Sequence, residues 1–311
     1  MAYTNDDLHN MGIKDLQDAR KKIVDTSIFD HVSDVVLDDK TKKSLDYTRE
    51  LYIDYLKELN NFKESIKEQI LRTLMNTEVI DNHSVEMENI NLLTSYCETH
   101  HSSAIRYLIK KLVTENLDIN DNILKKTHEI LMRGTSNGAG IAAGYRNNNS
   151  FYVGYIENGE KTIEFLPIAH ENIKEAMEIL FDYYNSNILD INLLFAKPFI
   201  VHGLLAALQV FEDGNTRMAR TLQHINLYTL TNELDDSIDK FNLPAIYFSK
   251  NYIPFRYEYR SLIRDIALIH NNEVWNAWIN FNLNRMQERI YANENSFMLL
   301  KKQNIHKNIS F

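Results

Sequence analysis

Proline is absent from the first 166 residues of this 311-residue chain; its four prolines are Pro167, Pro198, Pro244 and Pro254. Six of the nine glycines crowd between Gly134 and Gly159. Both residues punctuate secondary structure, so long uninterrupted helices are expected on either side of one glycine-rich loop region. Hydropathy agrees. From about residue 40 to residue 77, Tyr52, Tyr55, Leu56, Leu59, Ile66 and Ile70 fall near helical spacing among charged neighbours, and the stretch reads as one long helix. A polar break (DNHS, 81–84) and a second helical stretch into Leu92 are expected next.

Residues 102–114 and 120–132 read as a helix pair, with Gly134 placed to end the second. After Pro167, residues Ile173, Ala176, Met177, Leu180, Phe181 and Tyr184 share one apolar face. Further helices are predicted over 190–208, from near Arg217, over 255–270 and over 272–290. The 190–208 stretch is almost wholly apolar after Phe199, as a central buried helix would be. Between them, FYVGYI and KTIEFL flank Glu157-Asn158-Gly159-Glu160, a strong hairpin signal. The fold class is therefore mainly α with one short β-hairpin.

The formal net charge of -9, with no clustered basic stripe, argues against a nucleic-acid partner. The amino terminus is polar and acidic, unlike a signal peptide, and the apolar runs look too short to span a bilayer. Cys97 is the only cysteine, which rules out an intrachain disulfide. A cytoplasmic protein without membrane attachment is expected.

Chemistry concentrates in residues 209–220 (QVFEDGNTRMAR). The segment reads as a helix end, a tight turn and a new helix start. Gly214 and Asn215 tolerate a left-handed turn, which aims successive backbone N–H groups at one point. The helix start adds free N–H groups and the positive end of its dipole. Arg217 and Arg220, three apart, can share one face of the first turn, and Asp213 can hold a Mg²⁺ that bridges phosphates. Together these describe a polyphosphate site. The same turn also occurs as plain scaffolding with its arginines solvated or paired, and the residues alone leave both readings open.

This segment resembles the Fic (Fido) family signature, His-Pro-Phe-x-(Asp/Glu)-Gly-Asn-(Gly/Lys/Thr)-Arg-x-x-Arg, through Phe211, Asp213, Gly214, Asn215, Arg217 and Arg220. His202, seven residues before the motif, and the stretch 144–185 (GYRNNNSFYVG…FLPIAHENIKEAMEILFDYYN) fit the same pattern, and the likeness spans roughly 77–290. It implies a helical Fic fold with a flap at 151–166, where a protein target docks by strand addition. It also implies a core at 101–235 between an amino-terminal helical region (1–100) and a carboxy-terminal extension (236–311). By the same resemblance ATP is bound by Gly214, Asn215, Thr216, Arg217 and Arg220, Mg²⁺ by Asp213, and AMP is transferred to a protein hydroxyl.

Gln209 stands where the family places its catalytic histidine, and Val210 replaces the following proline. An amide has no basic lone pair for the acceptor's proton, and losing a positioned base typically costs about 10²- to 10⁴-fold in rate. His202 and His224 are the candidates to stand in; each is more simply a packed core histidine. Some Fic proteins carry an inhibitory helix, (Ser/Thr)-x-x-x-Glu-(Gly/Asn). Ser84, Glu88 and Asn89 match that pattern, which implies that Glu88 pairs with Arg220; Thr94…Glu98 is a near match.

Three functions stand side by side: a weak AMP transferase, a non-catalytic nucleotide-binding or partner-binding relative, and a helical interaction module with a vestigial loop. Retention of Asp213 and both arginines weighs against the third, and Gln209 favours the second over the first. The aromatic-rich helices at both ends suit either a homo-oligomer surface or core.

Overall fold

The computed structural model describes residues 3–86, 95–133, 144–157, 160–235, 238 and 241–309. The amino-terminal unit has three short helices, α1 (Asn5–Asn10), α2 (Leu16–Arg20) and α3 (Ile28–Ser33). Two long helices follow, α4 (Asp39–Asn60) and α5 (Glu64–Glu86). Then come α6 (Ser95–Leu108), whose last part relaxes into a π-helical turn at Ile109–Thr114, and α7 (Asp121–Met132). The hairpin β1 (Val153–Glu157) and β2 (Glu160–Phe165) precedes α8 (Ile173–Asn185), α9 (Ile191–Leu208) and α10 (Asn215–Leu234). The chain ends with α11 (Ser249–Tyr252), α12 (Arg256–Leu268) and the 38-residue α13 (Asn272–Ile309).

The structure corrects several expectations. The 40–77 stretch is two helices, because the chain turns at Asn61, whose N–H reaches back to Glu58 and Leu59. Phe62, at the corner, drops into the core edge-on to Phe297. Leu59, Phe62 and Ile66 keep helical spacing through that corner, so periodicity alone runs straight across it. DNHS at 81–84 is no break: α5 continues through it to Glu86. Asn82, His83 and Ser84 are buried there, polar residues that face the interior rather than solvent. Helix α13 also outruns its expected end at residue 290.

Helix α9 is the axis of the core, with every residue from Leu194 to Leu208 buried. By length and composition it could cross a membrane, contrary to the sequence expectation, yet 83% of it is buried inside the protein. It lies against α4, α8, α10, α12 and α13, and Trp278 of α13 donates to its Phe199 carbonyl at 2.7 Å. The flap sits at one end of this bundle.

Register along the hairpin slips by one residue: Val153 faces Phe165, and Gly154 faces Ile163. Glu164 is thus the extra residue of a β-bulge, a device that re-aims side chains. Gly154 lies so close to β2 that a Cβ there would collide with the Thr162 carbonyl. A second, smaller core (Tyr3, Leu8, Met11, Ile13, Ala19, Leu166 and Ala169) joins the amino-terminal unit to the chain leaving the hairpin.

Candidate functional site

Helix α9 ends where Gln209 takes the left-handed conformation, φ 50°. A non-glycine residue pays about 1–2 kcal/mol for that geometry, and local bonds hold it. Gln209 Nε2 donates to Ala206 O at 2.7 Å. Arg146, itself buried, donates from Nε to Gln209 O at 2.8 Å and from its backbone N–H to Val210 O at 3.0 Å.

Asn215 laces the turn, accepting from Phe211 N at 2.8 Å and donating to Phe211 O at 2.9 Å. Gly214 is left-handed, φ 79°, and packs so closely that a Cβ would stand 2.5 Å from Met132 Sδ. Beneath the turn the His128 ring lies flat on Phe211, centroids 3.7 Å apart. Burial pushes the His128 pKa down to about 4. The ring is therefore neutral and donates from Nε2 to Asp213 O at 2.8 Å.

The loop opens onto a cavity of about 250 Å³. Gln209, Glu212, Asp213, Gly214, Asn215 and Thr216 form one wall, and Val153, Gly154, Tyr155, Glu164 and Phe165 of the flap form the other. Glu86, Tyr259, Arg260 and Ile263 complete the lining. The bulge residue Glu164 is among those facing in. As the first residues of α10, Asn215 and Thr216 sit where helical N–H groups lack intrahelical acceptors.

The two arginines lie under this floor rather than in its lining. Arg217 donates to Asp213 Oδ2 at 3.0 Å. Arg220 is fully buried and uses all its nitrogens: Nε to Asn82 Oδ1 at 2.9 Å, Nη2 to Asn82 O at 2.9 Å, Nη1 to Glu86 Oε1 at 2.8 Å and to Tyr259 Oη at 3.1 Å. Glu86 Oε1 also accepts from Thr216 Oγ1 at 2.7 Å. Burial pushes the Glu86 carboxyl up, but Arg220, Thr216 and Arg217 outweigh it and hold the pKa below its usual value. Burial likewise opposes the charge of Arg220, while Tyr259 and Glu86 raise its pKa further. The pair is ionised. The Glu86 side chain remains 32% exposed and faces the cavity, so the lid on Arg220 is reachable from solvent.

Asp213, Gly214, Asn215, Thr216 and Gln209 therefore meet in one place, with Arg217 and Arg220 tied to it. Ser84 does not join them: it is buried, and its hydroxyl donates to Ile80 O at 2.8 Å in its own helix. Glu88 and Asn89 lie outside the described residues; the carboxylate seen on Arg220 is that of Glu86. His202 and His224 are core residues. His202 contacts Gln223 and Tyr259, and His224 Nε2 accepts from Phe248 N at 3.3 Å; neither lines the cavity.

Asn82, Glu86, Tyr259, Arg146 and His128 were missed from sequence. A signal existed for the first two. Glu78, Asn82 and Glu86 recur every fourth residue, a polar stripe on the one helix face that meets α10 and α11.

Among the described residues no group of three or more His, Cys, Asp or Glu is arranged to hold a metal. A Mg²⁺ bound mainly by nucleotide phosphates and water needs only one or two carboxylates. Asp213, lining the cavity, fits that partial role. Its Oδ1 accepts from Gly214 N at 2.6 Å, which fixes its orientation.

The architecture is the helical Fic fold: a glycine turn between two buried helices, facing a single β-hairpin. Residues 118–227, from just before α7 into α10, match the Fic/DOC family model. A Fic family protein from Desulfovibrio desulfuricans superposes with a TM-score of 0.59 at 16% identity, covering 84% of this chain and 76% of that one. Fic-1 from C. elegans gives 0.56 at 16% identity, over 85% and 73% of the two chains. A Fic domain containing signaling protein from Bacteroides thetaiotaomicron gives 0.55 at 13%, over 78% and 94%. At such identities the likeness speaks to fold. No curated protein matches the sequence.

Proposed function

We propose that this chain is a Fic-type nucleotide-binding protein whose AMP-transfer chemistry is weak or lost, and which is held closed to productive nucleotide binding by Glu86. ATP with Mg²⁺ is the ligand the loop fits. Asn215 and Thr216 bring to the cavity the start of α10, where N–H groups lack intrahelical acceptors, and Arg217 and Arg220 supply positive charge beneath it. A bound Mg²⁺ would neutralise phosphate charge, with Asp213 as its protein ligand.

The observation that carries this reading is the Glu86–Arg220 pair at 2.8 Å. A carboxylate seated on a fully buried arginine at the edge of an anion-binding turn mimics the charge a terminal phosphate would bring. While it stays, that phosphate has no partner there. Arg217 is likewise occupied by Asp213, and a metal at Asp213 would release it toward phosphate oxygens.

Gln209 argues for binding over turnover. Its amide is spent on Ala206 O and offers no base to a hydroxyl acceptor. The flap is the surface on which a protein segment would dock by strand addition, across the cavity from the loop. Calorimetric titration with ATP, GTP and CTP, with and without Mg²⁺, tests the reading in the wild-type, Glu86→Ala and Arg220→Ala chains. Tighter ATP binding in Glu86→Ala and none in Arg220→Ala supports it; equal behaviour of all three refutes it.

A further inference from the structure

The chain leaving the flap is tied down on three consecutive carbonyls. Leu166 O accepts from Val24 N at 3.0 Å, Pro167 O from Tyr3 Oη at 3.0 Å, and Ile168 O from the Arg146 guanidinium. Two of the three donors belong to the amino-terminal unit. In return Leu166 N donates to Lys22 O at 2.7 Å, so Ile23 pairs with Leu166 in a parallel β-bridge. Lys22 also reaches into the hairpin itself, its Nζ donating to Ile163 O at 3.1 Å. Residues 22–24 thus pair, through a single parallel β-bridge, with the chain just beyond β2.

This strand is weakly underwritten. Helices α1, α2 and α3 have six, five and six residues, far below the length at which a helix stands alone in water. What seats the unit on the flap is the small core, to which the flap side contributes Leu166 and Ala169, together with Val24, which is buried in the main core. Leu166 and Ala169 are both now buried, Leu166 completely. If residues 3–24 came away, those two side chains and the N–H and C=O of Leu166 would be uncovered together. That is an apolar spot beside a free backbone donor and acceptor, the combination that captures an extended peptide.

We infer that Lys22-Ile23-Val24 is an internal strand ligand of the flap, and that its departure opens a docking site for a partner segment of the same chemistry. Such a segment is extended and carries a basic side chain followed by two β-branched apolar residues. The basic side chain takes the Ile163 carbonyl, and the next two residues take Leu166. The inference deepens the docking role proposed for the flap and rests on it. Phe165, one residue before Leu166, lines the cavity, so an occupant here pairs with the residue that follows the cavity wall.

The experiment is disulfide capture in the full-length chain carrying Cys97→Ser and Leu166→Cys, with and without Val24→Pro. Proline at 24 lacks the N–H that Leu166 O receives, so it loosens the internal strand. The probe is a synthetic peptide of residues 20–26 (RKKIVDT) with cysteine in place of Ile23, against a scrambled peptide of equal composition. Capture of the ordered peptide should rise at least about tenfold with Val24→Pro, since the tethered strand no longer competes at high effective concentration. The scrambled peptide should stay low.

Equal capture with and without Val24→Pro, or no preference over the scrambled peptide, overturns the inference. If Val24→Pro unfolds the chain, Ile23→Cys with Leu166→Cys in the Cys97→Ser background replaces it. Hydrogen exchange at residues 162–166 should then slow on oxidation and recover on reduction, and unchanged exchange overturns the inference. ATP titration of the same chains with Glu86→Ala added separates the two ideas: a chain that captures the peptide yet binds no ATP refutes the nucleotide reading alone.

Discussion

Glu86 Oε1 gathers two donors from α10, Arg220 Nη1 at 2.8 Å and Thr216 Oγ1 at 2.7 Å, which pins the end of α5 to the first turns of α10. Glu86→Ala is therefore expected to act in opposite directions on binding and stability. Freed Arg220 should raise Mg-ATP affinity by about tenfold or more, that is by roughly 1.4 kcal/mol or more. The same change leaves a buried guanidinium with one partner fewer, costing about 1–3 kcal/mol in the nucleotide-free protein. Calorimetry and thermal melts read both, and saturating ATP should recover the lost stability. A variant that neither binds tighter nor melts lower would remove the inhibitory role from Glu86.

Gln209→His restores an imidazole at the mouth of the loop. With Glu86→Ala in the same chain, transfer of AMP to protein should rise by about 10²- to 10⁴-fold over Glu86→Ala alone. Mass spectrometry of the chain itself and of added lysate after incubation with Mg-ATP measures it. No rise would mean that more than the base has been lost.

Glu78 is sealed below the site, where Ser249 Oγ donates to it at 2.6 Å and His224 Nδ1 stands 3.4 Å away. Burial pushes its pKa from 4.5 to about 8. The folded chain holds this proton over a range where the unfolded chain has lost it. Its contribution is fully present below pH 4.5 and is lost as pH climbs through about 8. Burial acts oppositely on His83 and His224, pushing them down to about 4 and about 3. Their neutral rings favour the fold increasingly as pH rises toward the ordinary histidine value of 6.5. Urea unfolding across pH 5–9 should thus show stability rising to about pH 6.5 and then declining. Glu78→Gln, which keeps an acceptor for Ser249, should flatten the decline above about pH 6.5 and steepen the rise below it.

Gly214→Ala meets two obstacles at once, a φ of 79° and a Cβ only 2.5 Å from Met132 Sδ. A loss of about 1–3 kcal/mol is expected, together with loss of ATP binding as the turn reshapes. Unaltered melting and affinity would show the turn to be far softer than its packing implies.

Much of this protein can be read from the order of its residues. The scarcity of proline before Pro167 foretells the helices, and Asn158-Gly159 between β-branched runs foretells the hairpin. The motif from Phe211 to Arg220 foretells the loop. What escaped was tertiary. The corner at Asn61 preserves the apolar phase and leaves no local trace. Glu86 was passed over because the motif pattern drew the reading to Ser84 and Glu88. The Arg146 guanidinium donates to backbone carbonyls of Gln209, Asn148 and Ile168, which no sequence motif displays.

The bonds around Gln209 have a consequence for how such a protein can diverge. The turn is fastened by Arg146, Asn215 and the Ala206 carbonyl, none of which demands imidazole at its head. The residue at position 209 could therefore be exchanged while the turn and the cavity beside it keep their shape. Whatever side chain stood there, Glu86 would still fasten α5 to α10 at the rim of that cavity.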